Sequence, residues 1–307
     1  MSKRRINKKY DRRLIFYVLM LAYPVLQFCI FYIGVNFNSL LLAFKEIDMA
    51  NGTFSWTLKN FPEAFEKLTS STSELAGTAW MSLKSTLIVV SLSTALALLF
   101  SFYIYKKMFA SEIFRVMLFL PSVISSLVLV TIFQFFVERA VPAIYLELYG
   151  KTIRGLIENS STRYATIMFF NVWAGFGPTM LMYSNAMGGI SPEIVDSAKV
   201  DGATGLKEFF HITLPSVYPT ITTFIVVGVA GIFTNQFHLY SFYRGGAPNE
   251  LWNLGYYLYA ETQKVTAANS MAEYPLLSAI GLLITVVVIP LTFIVKGLME
   301  KFGPSVE

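Results

Sequence analysis

Two groups of polar residues interrupt a chain that is 55% hydrophobic and 14% charged. The first comprises Asn171, Trp173, Tyr183, Ser184 and Asn185, then Thr234, Asn235, Gln236 and His238. Amides and hydroxyls beside aromatic faces can hydrogen-bond sugar hydroxyls and stack on the apolar face of a sugar ring. The same side chains can also hydrogen-bond between helices, and residue by residue the two readings stand level. Together, on two segments flanking one loop, they are expected to mark a solute pathway, chiefly Asn171, Trp173, Tyr183, Asn185, Asn235, Gln236 and His238. The second group is a polar island at 191–215. Ser191 suits an N-cap and Pro192 a first helical position, and Glu193 and Asp196 favour the positive end of that helix. Gly202 breaks it, Thr204 is expected to cap a second short helix, and Pro215 to stop that one. An ordered helix pair in so short a connection suits docking of a soluble partner.

No catalytic constellation accompanies these groups. Tyr149-Gly150-Lys151-Thr152 invites comparison with a phosphate-binding loop, but the glycine required five residues earlier is Tyr145. The chain is therefore not expected to bind ATP by itself. His211 and His238 are the only histidines, and they fall on opposite membrane faces in the topology below, so no metal site is expected. No Gly-x-Ser-x-Gly run occurs, and the apolar segments hold almost no acids or bases, which disfavours a proton-driven carrier or a voltage sensor. The single cysteine, Cys29, lies in an apolar run and excludes an internal disulfide.

The elements that must position these residues are membrane helices. A charged fraction of 14% is well below the roughly 25% of soluble domains. Six segments approach the 20 or so apolar residues that cross a bilayer as a helix: 14–35, 83–105, 114–137, 164–187, 217–239 and 275–295. The first is too long for a signal peptide and lacks a small-residue cleavage site. Pro24, Pro121, Pro178 and Pro290 can kink helices, and Gly175, Gly177, Gly228, Gly231 and Gly281 permit close approach. No internal repeat is present, and the short Thr/Ser stretch at 69–73 reads as surface loop.

The net charge of +5 is not arranged as a nucleic-acid stripe. Lys3, Arg4, Arg5, Lys8, Lys9, Arg12 and Arg13 crowd the N-terminus instead, and a polybasic nucleic-acid arm is the second-ranked reading. With six spans, this cluster falls on one side together with Lys106, Lys107, Arg115, Lys296 and Lys301. That side is expected to be cytoplasmic, with both termini inside a multi-pass cell-membrane protein. The island at 191–215 then faces the cytoplasm. The expected organisation is a basic cytoplasmic N-terminus at 1–13, a six-helix domain at 14–297 and a cytoplasmic tail at 298–307.

Asp196-Ser197-Ala198, Gly202 and Ile212-Thr213-Leu214-Pro215 match, in full spacing, the "EAA loop" of ABC-importer permeases. That motif is a Glu-Ala-Ala triplet, three residues, Gly, nine residues, then Ile-x-Leu-Pro. Here the triplet keeps an acid and two small residues. Phe114-Arg115, Phe119-Leu120-Pro121 and Ile124-Ser125 resemble the third-helix pattern of the carbohydrate branch, and Asn171-Val172-Trp173 resembles the fourth. Gly245-Gly246-Ala247-Pro248, followed by Leu251 to Tyr259, resembles an outer loop where relatives have Gly-Gly-Pro, with Ala247 as a departure. The resemblance covers about 14–297. It is nearer to the first, larger maltose-permease-like partner of the permease pair, in a compact six-helix form.

The resemblance implies an all-α, type I importer permease fold and alternating access, with no enzymatic activity in this chain. It implies a second permease subunit in a heterodimer and an extracytoplasmic binding protein that delivers a carbohydrate. It also implies two ATP-binding subunits, which hold ATP and Mg and grip the cytoplasmic loop. The residues it implicates in that coupling are Glu193, Asp196, Ser197, Ala198, Asp201, Gly202, Ala203, Ile212, Leu214 and Pro215. Ser197, Ala198, Gly202 and Ala203 would allow close seating, with Glu193, Asp196 and Asp201 pairing charge at the rim. Two alternatives remain: the same fold importing an amino acid, phosphate or metal, and a membrane-embedded enzyme. Spans four and five lack the Arg or Lys that anionic solutes usually demand.

Overall fold

The computed structural model describes residues 2–48, 53–70, 73, 75, 77–268 and 270–304. Residues 71 and 72 of the Thr/Ser stretch and the last three residues of the tail lie outside these. Packing divides the chain into two units, 1–66 with 265–283 and 67–264 with 284–307.

The first unit opens with helix α1 (Ser2–Gln27), a π-helical stretch Phe28–Gly34 and α2 (Val35–Leu42). Together they form an apolar run over Leu14–Leu42 with none of its most apolar window buried. The polar side chains in it fold back on their own helix: Asn36 Nδ2 donates to Tyr32 O at 2.6 Å and Ser39 Oγ to Val35 O at 3.0 Å. The chain then forms an antiparallel hairpin of β1 (Lys45–Asp48) and β2 (Thr53–Trp56), with Lys45 opposite Trp56. Lys45 Nζ lies over the Phe54 ring at 4.4 Å. This small hairpin is an addition to a fold that is otherwise helical, as expected.

The second unit is built on two long helices, α4 (Thr78–Tyr105) and α8 (Ser160–Gly188). α3 (Asn60–Thr69) precedes them. α4 and α8 meet through a small-residue stripe on α4, in which Ser82, Ser85, Ala97 and Ser101 are buried. Ser101 Oγ reaches across to Met180 O at 2.6 Å, and Ser85 Oγ lies 3.1 Å from Tyr164 Oη. α5 (Ser111–Val123) crosses α8 at Gly177, where any side chain would meet Leu118 O at 2.5 Å. Two cores form along α8. One gathers Phe133, Phe170, Phe237, Phe242 and Tyr256, and the other Ala97, Phe176, Met180, Tyr183, Met187 and Phe209.

Among the described residues, five helices are long and apolar enough to cross a membrane: Leu14–Leu42, Thr78–Tyr105, Ser126–Tyr149, Ser160–Gly188 and Met271–Phe302. The pair Leu206–Ser216 and Tyr218–Ala230, bent by 69°, brings the number to six when counted as one broken span. Two expected spans are therefore corrected. The segment 114–137 is not one helix. It breaks at Ile124, whose backbone is extended (φ −80°, ψ 140°), and a new helix α6 (Ser126–Phe135) runs on through a π-turn at Phe136–Ala140 into α7 (Val141–Tyr149). The segment 217–239 is helical only over α12 (Tyr218–Ala230). The first interruption is marked in the sequence by Pro121 and three nearby serines, and the second by Thr234, Asn235 and Gln236, which were read as pathway residues and not as a break in the helix.

α7 ends at Gly150, in a left-handed conformation (φ 65°), with its N–H on Leu146 O at 2.8 Å. The Gly-Lys-Thr run is thus the punctuation of a helix.

Candidate coupling loop and membrane pathway

α8 leads into α9 (Pro192–Val200), with Ser191 at its N-cap position and Pro192 in its first turn. The Ser191 hydroxyl bonds the Glu193 carboxylate and leaves the backbone N–H groups uncapped. The far end of α9 closes as a Schellman motif. Gly202 N–H reaches Lys199 O at 3.0 Å, Ala203 N–H reaches Ala198 O at 2.8 Å, and Gly202 takes φ 80°. Only glycine adopts that torsion without steric cost. A side chain at Gly202 would meet nothing of this chain within 4 Å, so the turn faces open space.

The second short helix differs from expectation at both ends. Gly205 (φ 57°), not Thr204, holds the N-cap position of α10 (Leu206–Glu208). Pro215 does not stop the helix but sits inside α11 (Leu214–Ser216). A π-turn at Phe209–Thr213 precedes it, in which Leu214 N–H reaches back five residues to Phe209 O. That widened turn makes room for the proline ring, which would otherwise crowd the carbonyl four residues earlier. The break comes at Val217, ahead of Pro219 in the first turn of α12, where a missing N–H costs nothing.

Glu193, Asp196, Ser197, Asp201 and Gly202 are exposed; Ala203, Ile212, Leu214 and Pro215 are half-buried. Ala198 is buried within the loop together with Val195, so it packs the helix down instead of seating it in a partner. Asp196 Oδ1 holds Lys199 Nζ at 2.8 Å, and that hydrogen bond, then the charge itself, raises the ammonium above its ordinary pKa. The sequence reading missed the apolar residues between these acids. Ile194, Val200, Leu206 and Phe210 are all exposed, Val200 to 88%. In so short a loop they could have been recognised as apolar residues with no core to enter.

The pathway residues are not one cluster. Asn171, Asn235, Gln236 and His238 gather at a segment, Gly231 to His238, that leaves the helical path between α12 and α13 (Leu239–Tyr243). Phe237 and His238 are both left-handed there, at φ 48° and 57°. Three contacts hold them. Asn171 Nδ2 donates to Phe237 O and to Ile167 O, each at 2.9 Å. Asn235 Oδ1 accepts the Phe237 N–H at 2.8 Å. On α14 (Leu254–Ala268), Gly255 lies so close that a Cβ would meet the carbonyl oxygens of Asn235 and Thr234 at 2.6 Å. His238 meets Phe170 edge-on at 5.4 Å. Thr234 and Asn235 are exposed, whereas Gln236 buries its Oε1.

The remaining three residues lie elsewhere. Trp173 stacks on Phe133 at 6.2 Å and lines an apolar cleft of about 620 Å³ with Tyr164, Phe169 and Phe176. Tyr183 is fully buried near the loop, and Asn185, two residues nearer to it, is exposed. Positions 171 and 183 stand about 18 Å apart along a helix rising 1.5 Å per residue. They cannot touch one small solute together.

Beyond the break, the loop where Ala247 departs from the family pattern is firmly held. The Ala247 N–H donates to Tyr256 Oη at 3.1 Å, and its carbonyl accepts from Trp252 Nε1 at 2.8 Å. Nearby, Glu138 Oε1 accepts the N–H groups of Ile157 (2.7 Å) and Glu158 (3.0 Å), while Arg163 pairs with Glu250 at 2.5 Å. No group of His, Cys, Asp and Glu suited to a metal ion occurs among the described residues.

Residues 88–307 match the family model described as "Binding-protein-dependent transport system inner membrane component". The chain is similar to the arabinooligosaccharides transport system permease protein AraP of Bacillus subtilis, 23% identical over 287 residues, covering 91% of this chain and 86% of that protein. It is also similar to the multiple sugar-binding transport system permease protein MsmF of Streptococcus mutans, 23% identical over 64% of this chain and 66% of that one. Among solved structures, a chain of a bacterial ABC transporter involved in the import of the acidic polysaccharide alginate shares its fold. The TM-score is 0.71 at 18% identity, over 97% of this chain and 99% of that one.

Proposed function

Because this chain belongs to the family of binding-protein-dependent transport system inner membrane components, we propose that it is a permease subunit of an ATP-driven importer that passes a carbohydrate. The observation that carries the reading is the exposed helix pair α9–α11, closed at Gly202 and continuous through one bend with α12. Rigid secondary structure outside the lipid, attached directly to a membrane helix, is what a motor subunit needs to hold. Glu193, Asp196, Ser197, Asp201 and Gly202, with Ile194, Val200 and Leu206 beside them, form the face it holds. ATP and Mg belong to two such partner subunits, and a second permease subunit completes the channel. An extracytoplasmic binding protein supplies the sugar. The sugar-transport names of AraP and MsmF support the substrate class. Its contacts in this chain lie at the irregular segment, where Thr234 and Asn235 offer neutral polar groups. Non-helical backbone at membrane depth is tolerated where it lines such a cavity.

The test is uptake in proteoliposomes holding this chain, the second permease and the ATP-binding subunits. Carbohydrate accumulation should require both ATP inside and the loaded binding protein outside. Accumulation of an amino acid or phosphate, and no sugar, would overturn the substrate class. Orientation is tested by single cysteines in a Cys29→Ser background. Asp201→Cys should react only from the cytoplasmic side and Lys151→Cys only from the opposite side; the reverse pattern overturns the assignment of the loop.

A further inference from the structure

The end of α4 is fastened to the loop by a pair of charges. Lys106, the residue that closes α4, forms an ion pair with Glu208 at the end of α10. The Glu208 side chain is only 3% exposed and that of Lys106 25%. Lys106 Nζ also sits over the rings of Phe102 (5.7 Å) and Tyr105 (5.4 Å). Phe102 in turn packs on Phe209 at 5.0 Å. Glu208 therefore enters an aromatic wall at the tip of α4, and the π-turn begins at the very next residue.

Leaving Glu208 buried without Lys106 would cost far more than an exposed pair returns, because an uncompensated charge would remain away from water. The contact is thus all-or-none: α4 and α10 stay joined or both must re-solvate. By contrast, the loop's other ion pair, Asp196 with Lys199, lies within α9 and links nothing across elements.

We propose that Lys106 and Glu208 are positioning residues that make α4 and the coupling loop move as one body, delivering the motor's displacement to α4 as well as to α12. This rests on the permease reading above. α4 is already bonded to α8 through Ser101 to Met180 and Ser85 to Tyr164, and the ion pair adds a charged link from its tip to the loop. The pair gives the loop two outlets into the membrane, one by chain continuity and one by charge.

The experiment uses the complete transporter in proteoliposomes and reads sugar taken up per ATP hydrolysed. Replacing both partners, Lys106→Met with Glu208→Met, removes the tie without leaving a lone charge, a change that buried pairs often tolerate. The doubly substituted chain should co-purify with its ATP-binding subunits and hydrolyse ATP while sugar uptake per ATP is lost. Unchanged uptake per ATP would overturn the proposal. A second variant, Lys106→Cys with Glu208→Cys in the Cys29→Ser background, is bridged by a short bifunctional thiol reagent. Bridging should raise uptake per ATP above that of the same sample unbridged. If bridging arrests uptake, α4 and the loop must move apart during the cycle and the proposal fails. Absence of uptake in the unmodified transporter would count against the permease reading instead, so the two failures are separable.

Discussion

The fifth membrane segment is bounded by two interruptions of opposite character. The one before it, the loop 191–217, is closed by bonds between near neighbours: Gly202 to Lys199, Ala203 to Ala198, Leu214 to Phe209. The one after it, 231–238, is held from outside by Asn171 of α8 and by the close approach of Gly255 of α14. The turn at Gly202 closes on its own neighbours, as a part handled by a foreign partner must, while Glu208 and Phe209 lean on the tip of α4. The second has its shape only while α8 and α14 stay in place, so movement of either helix changes what the segment presents. A self-supporting element suits a fixed handle, and an externally supported one suits a site that opens and closes.

Breaking the supports of the second region should have the largest effect. Gly255→Ala drives a methyl into backbone that cannot swing aside, and overpacking of this kind costs about 1–3 kcal/mol. Transport should fall sharply with a lower melting midpoint of the purified complex, while ATPase binding persists. If Gly255→Ala is silent, the segment is not pinned from α14. Next, Asn171→Asp should be worse than Asn171→Leu. The aspartate replaces a donor by an acceptor facing the Phe237 and Ile167 carbonyls, whereas leucine only leaves them unpaired, at about 1–3 kcal/mol. Equal loss in the two variants would mean that Asn171 acts through size alone.

In the first region effects on folding should be smaller and effects on partners larger. Gly202→Ala must hold a left-handed torsion at about 1–2 kcal/mol, a local cost. Gly202→Asp has room within this chain, so it should insert normally yet lose capture of the ATP-binding subunit or sugar-stimulated hydrolysis. Normal values in both assays would remove 191–215 as the coupling element. Smallest of all is Asp196→Ala, which removes an exposed pair and should leave the melting midpoint unmoved. Because Asp196 raises the pKa of Lys199, the ammonium's share of the pair persists through neutral pH and is lost as pH rises through that elevated value. No pH dependence from it is expected between pH 6 and 8, and a stability change in that window would point to another group.

The same contrast explains what the sequence could reveal. Gly202 was readable because a helix ended by glycine is a matter of a few adjacent residues, and Pro192 and Ser191 took their positions for the same reason. Pro215 misled because a widened turn upstream absorbs it, and widening leaves no compositional mark. The break at 231–238 was missed because its polar residues, Thr234, Asn235 and Gln236, were read as lining a helical pathway and not as ending the helix. What sustains the break is a side chain sixty-odd positions earlier (Asn171 to Phe237). Asn171 was singled out as an odd amide in an apolar helix, and its oddness was real. Its nitrogen, however, is engaged by backbone. Lys106 counted only towards the charge bias and Glu208 drew no notice, because burial at 208 depends on where α4 ends.

On the coupling role proposed above, the 69° bend at Val217 sets how force enters the bilayer. A push along the rod Leu206–Ser216 arrives at α12 mostly sideways, with little component along its axis. Driving a helix along its own axis would drag polar ends into hydrocarbon and expose apolar turns to water, a mismatch that costs free energy with every ångström. Tilting the same helix keeps its apolar length within the bilayer, which membranes accommodate readily. The elbow therefore turns an axial stroke, which lipid resists, into a tilt, which lipid permits.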